Sequence, residues 1–218
     1  MTRFLLLFLT VSLSSLMLGS CASVEEKPAS EPQPEQQAHM KKELTPAGWT
    51  VQKEKRQQIK NWEVRGRLGV QTETEGATMD IIWKQAEDEY SIRLIAPLGA
   101  GSYLILGDNE LARIRYPDGK KRTVRDIDDV FKATLKVDLP VTAIKDWIRG
   151  LPAKDLSIEK IRWNEKGLLK LLEQEGWNVE LKKYAGTDIL LPHEIYLTRD
   201  DDEELDIRLL FRQWLVDN

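Results

Sequence analysis

The sequence predicts a mainly β, α+β fold: an antiparallel sheet interrupted by helices. Two observations carry this. Apolar and polar residues alternate from Trp62 to Tyr116 and again from Leu168 to Phe211, the period of half-buried strands. Between them the period lengthens to that of an amphipathic helix. The composition agrees. The chain has 218 residues, 41% hydrophobic and 31% charged, which suits a soluble domain large enough for a real core. A net charge of −4 argues against a nucleic-acid binder.

In chain order, residues 1–20 read as an export signal. Arg3 is the only charge before Glu25, and Phe4 to Leu18 form an apolar run. Leu18-Gly19-Ser20-Cys21 follows and resembles the bacterial lipobox. That resemblance implies cleavage before Cys21, an S-diacylglycerol on its thiol and an N-acyl group on its new amine. Cys21 is the only cysteine in the chain, so no internal disulfide is available. Several acyl chains anchor far more firmly than one, at roughly 0.8 kcal/mol per buried CH₂. Ala22 follows the cysteine, where enterobacterial-type sorting would place Asp for inner-membrane retention. By that resemblance the chain is lipid-anchored at the outer membrane, facing the periplasm. Residues 21–47 then hold the cysteine and a Pro-, Glu- and Gln-rich tether, too polar to fold alone.

The globular part is expected over 48–218. Residues 50–60 predict a solvated helix with Trp49, Val51 and Ile59 as apolar points. Strands follow at Trp62–Val70, Met79–Trp83, Tyr90–Ala96 and Ala112–Tyr116, joined as a meander, with Pro117-Asp118-Gly119 as a turn. Asp126 caps a helix carrying Ile127, Val130, Phe131, Thr134 and Leu135. Pro140 opens a second helix, Val141–Arg149, which Gly150-Leu151-Pro152 stops. Further strands fit Ile158, Leu168–Leu172, Trp177–Leu181, Ile195–Leu197 and Leu205–Phe211.

One stretch departs from the rest. Leu94 to Gly107 carries no charge, which at 31% charged residues arises by chance roughly once in two hundred placements. Its centre, Pro97-Leu98-Gly99-Ala100-Gly101, cannot be regular strand and reads as a hairpin tip. An apolar tip either folds back into the core or meets another apolar phase.

No catalytic constellation is present, and the expectation is that the protein is not an enzyme. His39 lies in the tether and His193 follows Pro192, with no nucleophile elbow to serve it. Asp200-Asp201-Asp202-Glu203-Glu204 lacks the spacing and glycine of a calcium loop and reads as a solvated hairpin turn, so no metal is expected.

The lipobox, Trp62 with Gly66-Arg67, Pro97-Leu98-Gly99, Leu139-Pro140-Val141, Trp147-Ile148-Arg149-Gly150-Leu151-Pro152, Gly176-Trp177-Asn178-Val179, Leu191-Pro192 and Trp214 occur in an order and spacing that resembles the LolB family of outer-membrane lipoprotein receptors. The resemblance implies an incomplete antiparallel β-barrel whose helices plug an apolar cavity. It implies acceptance of triacylated lipoproteins from the periplasmic carrier LolA and their insertion into the outer membrane. It needs no cofactor beyond the acyl groups on Cys21, and a monomer suffices. In this family a Leu on an exposed loop serves insertion, and Leu98, flanked by Pro97 and Gly99, matches it.

Inward parity would then line the acyl cavity with Trp62, Leu68, Met79, Ile81, Trp83, Ile92, Leu94, Leu104, Leu106 and Ile114. Ile144, Trp147 and Ile148 would close one side. Individually, each residue reads more readily as plain core than as cavity lining. Two other readings stand beside reception: an open-barrel lipoprotein carrying a free lipid or glycolipid, and a structural interaction module of the envelope.

Overall fold

The computed structural model describes residues 46–135 and 137–217. Cys21, the expected signal and almost all of the expected tether lie outside the described residues. A helix, α1 (Ala47–Gln58), leads into β1 (Asn61–Gln71), β2 (Gly76–Ala86), β3 (Glu89–Ile95), β4 (Ser102–Gly107), β5 (Ala112–Arg115) and β6 (Lys121–Val124). Two helices follow, α2 (Ile127–Leu135) and α3 (Val141–Trp147). The chain ends in β7 (Ile158–Trp163), β8 (Leu169–Gln174), β9 (Trp177–Lys182), β10 (Glu194–Arg199) and β11 (Asp202–Val216).

All strands belong to one 11-stranded antiparallel sheet, ordered β6-β5-β4-β3-β2-β1-β11-β10-β9-β8-β7. Each half is a meander, and the two meet where β1 pairs with β11. The outermost strands β6 and β7 do not pair with each other, so the sheet is an unclosed barrel, as expected. The link between those two edges carries α2 and α3.

Register aligns the apolar positions into rows on one face. Ile114, Ile105, Ile92, Trp83, Val64 and Trp214 face one another from β5 to β11. Met79, Leu68, Leu209, Ile195 and Leu181 form another row. A bulge at Arg65/Gly66 shifts the β11 parity from odd positions (Phe211) to even ones (Trp214, Val216). Gly66 is required there: a Cβ would lie 2.2 Å from the Leu210 carbonyl oxygen.

The helices start and stop for local reasons. Asp126 accepts the Asp128 amide at 2.9 Å, capping α2. The apolar sides of α2 and α3 (Ile127, Val130, Phe131, Val141, Ile144, Trp147) join the sheet's inner residues in one core cluster. After Trp147 the chain turns through Ile148 to Gly150, which has φ +73°, so α3 is two residues shorter than predicted.

Two sequence expectations are corrected. In α1, Val51 is 54% exposed, whereas Arg56 is completely buried. The helix is held by Trp49, whose ring lies tilted at 54° to that of Trp163 with centroids 4.7 Å apart, and by Arg56. The Arg56 guanidinium donates to Leu190 O at 2.6 and 3.0 Å and to Gly150 O at 3.1 Å, with the Tyr184 ring 5.2 Å away. In β4 the expected parity is reversed. Tyr103 and Ile105 face inward, opposite Leu94 and Ile92. Leu104 and Leu106 face the other side, and Leu106 is 45% exposed. They therefore do not line the inner face.

Candidate functional site

The inner face gathers most of the residues expected to meet acyl chains. Trp62, Leu68, Ile81, Trp83, Ile92, Leu94 and Ile114 are buried on it, and Met79 is half-buried at its edge. From the helical side, Ile144, Trp147 and Ile148 are buried in the same cluster. Tryptophans dominate the centre: Trp62 lies 5.4 Å from Trp83 and 5.5 Å from Trp214. Such rings offer large apolar area with little rotamer entropy to lose.

The two ends of this face are held differently. Beneath α3, Trp147 sits on Trp177 at 6.2 Å, and its indole N–H donates to Gln174 Oε1 at 2.9 Å. Gln174 also accepts the Ala153 amide at 2.9 Å and donates to Ala153 O and Leu156 O at 3.0 and 3.1 Å. This buried hub is satisfied in full. On β2, in contrast, the Trp83 indole N–H and Gln85 Oε1 are buried with no hydrogen-bond partner among the described residues. Each orphan costs about 1–3 kcal/mol.

Both orphans line a cavity of about 430 Å³ between β2–β3 and the starts of α2 and α3, together with Tyr90, Ile127, Val141 and Thr142. Its size lies within the ~300–1,000 Å³ of ligand sites. Asp128 bridges the two helices above it, accepting the Val141 amide at 2.8 Å. Burial, reinforced by Asp126, pushes its carboxyl up to about 6. Tyr90 is pushed up to about 12 by burial and the nearby carboxylates, and so remains a neutral phenol. Neither Gln85 nor Asp128 was expected from sequence. A polar residue at an inward strand position is the one signal that could have singled out Gln85.

The tip between β3 and β4 is the second element. Pro97–Gly99 form a single 3₁₀ turn, and no residue in it is buried. Leu98 is 105% exposed, as much as a side chain can be. Its backbone is left-handed, with φ +56°, a conformation that costs a branched residue roughly 1–2 kcal/mol. Leu98 is thus unfavourable twice over, in hydration and in backbone. Such costs persist where function retains them.

The remaining motifs are structural. Arg149 donates to Ile59 O at 3.0 Å and pairs with Asp146. Trp214 donates its indole N–H to Pro192 O at 3.0 Å. His193 contacts Phe211 O at 3.0 Å through Nδ1, at the β10 end. Asp200 and Asp201 form the β10–β11 turn, bound by Asn178 and Arg199.

Comparison with known proteins accords with this architecture. Among solved structures, a DUF1329 family protein from Desulfovibrio piger superposes with a TM-score of 0.52 at 9% identity, covering 79% of this chain and 93% of that one, a likeness of fold alone. The chain is similar to the outer-membrane lipoprotein LolB of Ectopseudomonas mendocina, 29% identical over 98% of this chain and 97% of the relative. It is 33% identical to that of Halorhodospira halophila, over 67% of this chain and 72% of the relative. The family described as "Outer membrane lipoprotein LolB" matches residues 60–214, nearly all of the sheet and both helices of the link, and the chain belongs to that family.

Proposed function

We propose that this protein, anchored by acyl groups on Cys21 at the periplasmic face of the outer membrane, accepts triacylated lipoproteins from the carrier LolA and inserts them into that membrane without nucleotide. Its family is one of outer-membrane lipoproteins. The observation that carries the insertion step is Leu98, fully exposed on a left-handed, uncharged tip.

Acyl chains cannot wait in water, because at roughly 0.8 kcal/mol per CH₂ exposure costs tens of kcal/mol. The inner face offers an apolar alternative, currently covered by α2 and α3. Reception requires these helices to yield, and the β2 side, with its orphaned Trp83 and Gln85, is the less well satisfied end. The Gln174 hub would hold the other end fixed. With no nucleotide, direction must come from affinity differences: tighter than the carrier, weaker than the bilayer. Leu98 lowers the release barrier by dipping into the lipid.

The test is transfer of a labelled triacylated lipoprotein from carrier to this protein and then to outer-membrane vesicles. Leu98→Glu should accept the lipoprotein and fail to insert it; wild-type insertion by that variant would refute the tip's role. No transfer from the carrier by wild-type protein would refute reception in favour of a free-lipid carrier or an interaction module. Cys21→Ala, exported behind a signal whose cleavage does not need the cysteine, should be recovered in the soluble periplasmic fraction.

A further inference from the structure

The outer face of β3–β6, turned away from the core, combines charge and apolarity in an unusual way for a chain of net charge −4. Register places Ile82, Arg93, Leu104, Arg115 and Lys121 in one row across β2–β6. The adjacent row is Lys84, Ser91, Leu106, Arg113 and Thr123. Arg93, Arg113, Arg115 and Lys121 are all exposed. Among the described residues, Arg93, Arg115 and Lys121 enter no ion pair. Neighbouring strands lie about 4.8 Å apart, so these three cations span roughly 15 Å.

Two further features give this face a direction. Leu104 lies between Arg93 and Arg115, and exposed Leu106 beside Arg113, so apolar side chains are framed by guanidinium groups. The row also adjoins the tip: Arg93 is two residues from the end of β3 at Ile95, and Leu104 two residues from the start of β4 at Ser102. The Leu98 tip is thus the free end of the same two strands that carry the row. Asp118, on the neighbouring β5–β6 turn, is neutralised by Lys120 at 2.8 Å.

We propose that this face is a docking surface for anionic phospholipid headgroups, on which Arg93, Arg115 and Lys121 hold phosphates while Leu104 and Leu106 meet the upper acyl region. The inference rests on the reading of Leu98 as an insertion tip and adds the surface that orients it. Guanidinium groups suit the chemistry, since a planar fork pairs two oxygens of a phosphate. Basic residues close to an anionic bilayer each contribute about 1 kcal/mol, which falls off within a Debye length. A row of them fixes an orientation that a single leucine cannot.

The test uses the chain from residue 21 onward carrying Cys21→Ala, so that neither the apolar N-terminal run nor an acyl anchor contributes, with vesicles of phosphatidylcholine alone or of equimolar phosphatidylcholine and phosphatidylglycerol. Co-sedimentation should favour the anionic vesicles. Arg93→Ser, Arg115→Ser and Lys121→Ser should each lower that affinity roughly fivefold. The loss should vanish at about 1 M salt, where the Debye length is about 3 Å. Lys166→Ser, on the exposed turn between β7 and β8 at the other end of the sheet, should change nothing. Equal binding to both vesicles, or wild-type binding by all three variants, overturns the proposal. So does unchanged vesicle binding combined with weakened acceptance from the carrier, which would make the row a protein-docking site. If Leu98→Glu still blocks insertion while the row variants are inert, only this inference fails; if Leu98→Glu inserts normally, the tip reading fails first.

Discussion

Trp147 and Gln174 are joined by a hydrogen bond of 2.9 Å between two side chains with no solvent exposure. The pair fastens α3 and the following loop to β8, because Gln174 simultaneously serves Ala153 and Leu156. Gln174→Leu keeps the volume but orphans several buried polar groups. We expect a loss of at least about 3 kcal/mol in urea unfolding. A loss below about 1 kcal/mol would show that water replaces the amide there.

Among the described residues Arg56 has no carboxylate partner; it is buried and held by carbonyls and rings. Desolvation lowers its basicity. Arg56→Met preserves most of the stem packing and leaves the Leu190 and Gly150 oxygens unpartnered. The expected cost is about 2–4 kcal/mol, with α1 released first. Hydrogen exchange in residues 47–58 reads this directly; protection equal to wild type would contradict it.

Asp128 gives a pH prediction. Its folded-state value of about 6 lies above the ~3.9 of an unfolded aspartate. The folded state therefore binds this proton more tightly, and the associated stability is present below about pH 4 and lost as pH rises through about 6. Asp128→Asn retains an acceptor for Val141 and cannot ionise. The stability of this variant relative to wild type should rise between pH 4 and 7, by urea midpoints. A difference flat across that range would show that the carboxyl titrates normally.

Leu98 separates stability from function. Leu98→Gly relieves the left-handed strain and removes an exposed apolar group, against a modest gain in unfolded-chain entropy. The melting point should hold or rise, by the equivalent of at most about 1 kcal/mol, while membrane insertion falls. A clear drop in melting temperature would mean that Leu98 packs onto something in solution.

Most strands were legible because one face of each is buried and the other is wet. Trp62 to Val70 and Leu205 to Phe211 announce themselves by alternation alone. β4 was misphased for the converse reason. Leu94 to Gly107 has no charge to mark the wet side, and its phase depends on how many residues the tip consumes before Tyr103 meets Leu94. β6 leaves no such pattern, because Lys121-Arg122-Thr123-Val124 is an exposed edge strand with almost no buried side. The burial of Arg56 is not legible in sequence, because no local pattern separates a guanidinium in water from one capped by carbonyls far along the chain.

The order of residues alone determined most of the strands, the two helices between them, the uncharged tip and the sole cysteine behind an apolar N-terminal run. These are local properties, set by hydrophobic period, turn chemistry and composition. Only the tertiary structure decided which face of β4 looks inward, that Arg56 and Gln174 are buried fasteners, that the Trp83 indole N–H and Gln85 Oε1 find no partner among the described residues beside a cavity, and that Arg93, Arg115 and Lys121 share one row. Those facts depend on register and on contacts between segments distant in the chain, which local periodicity does not encode.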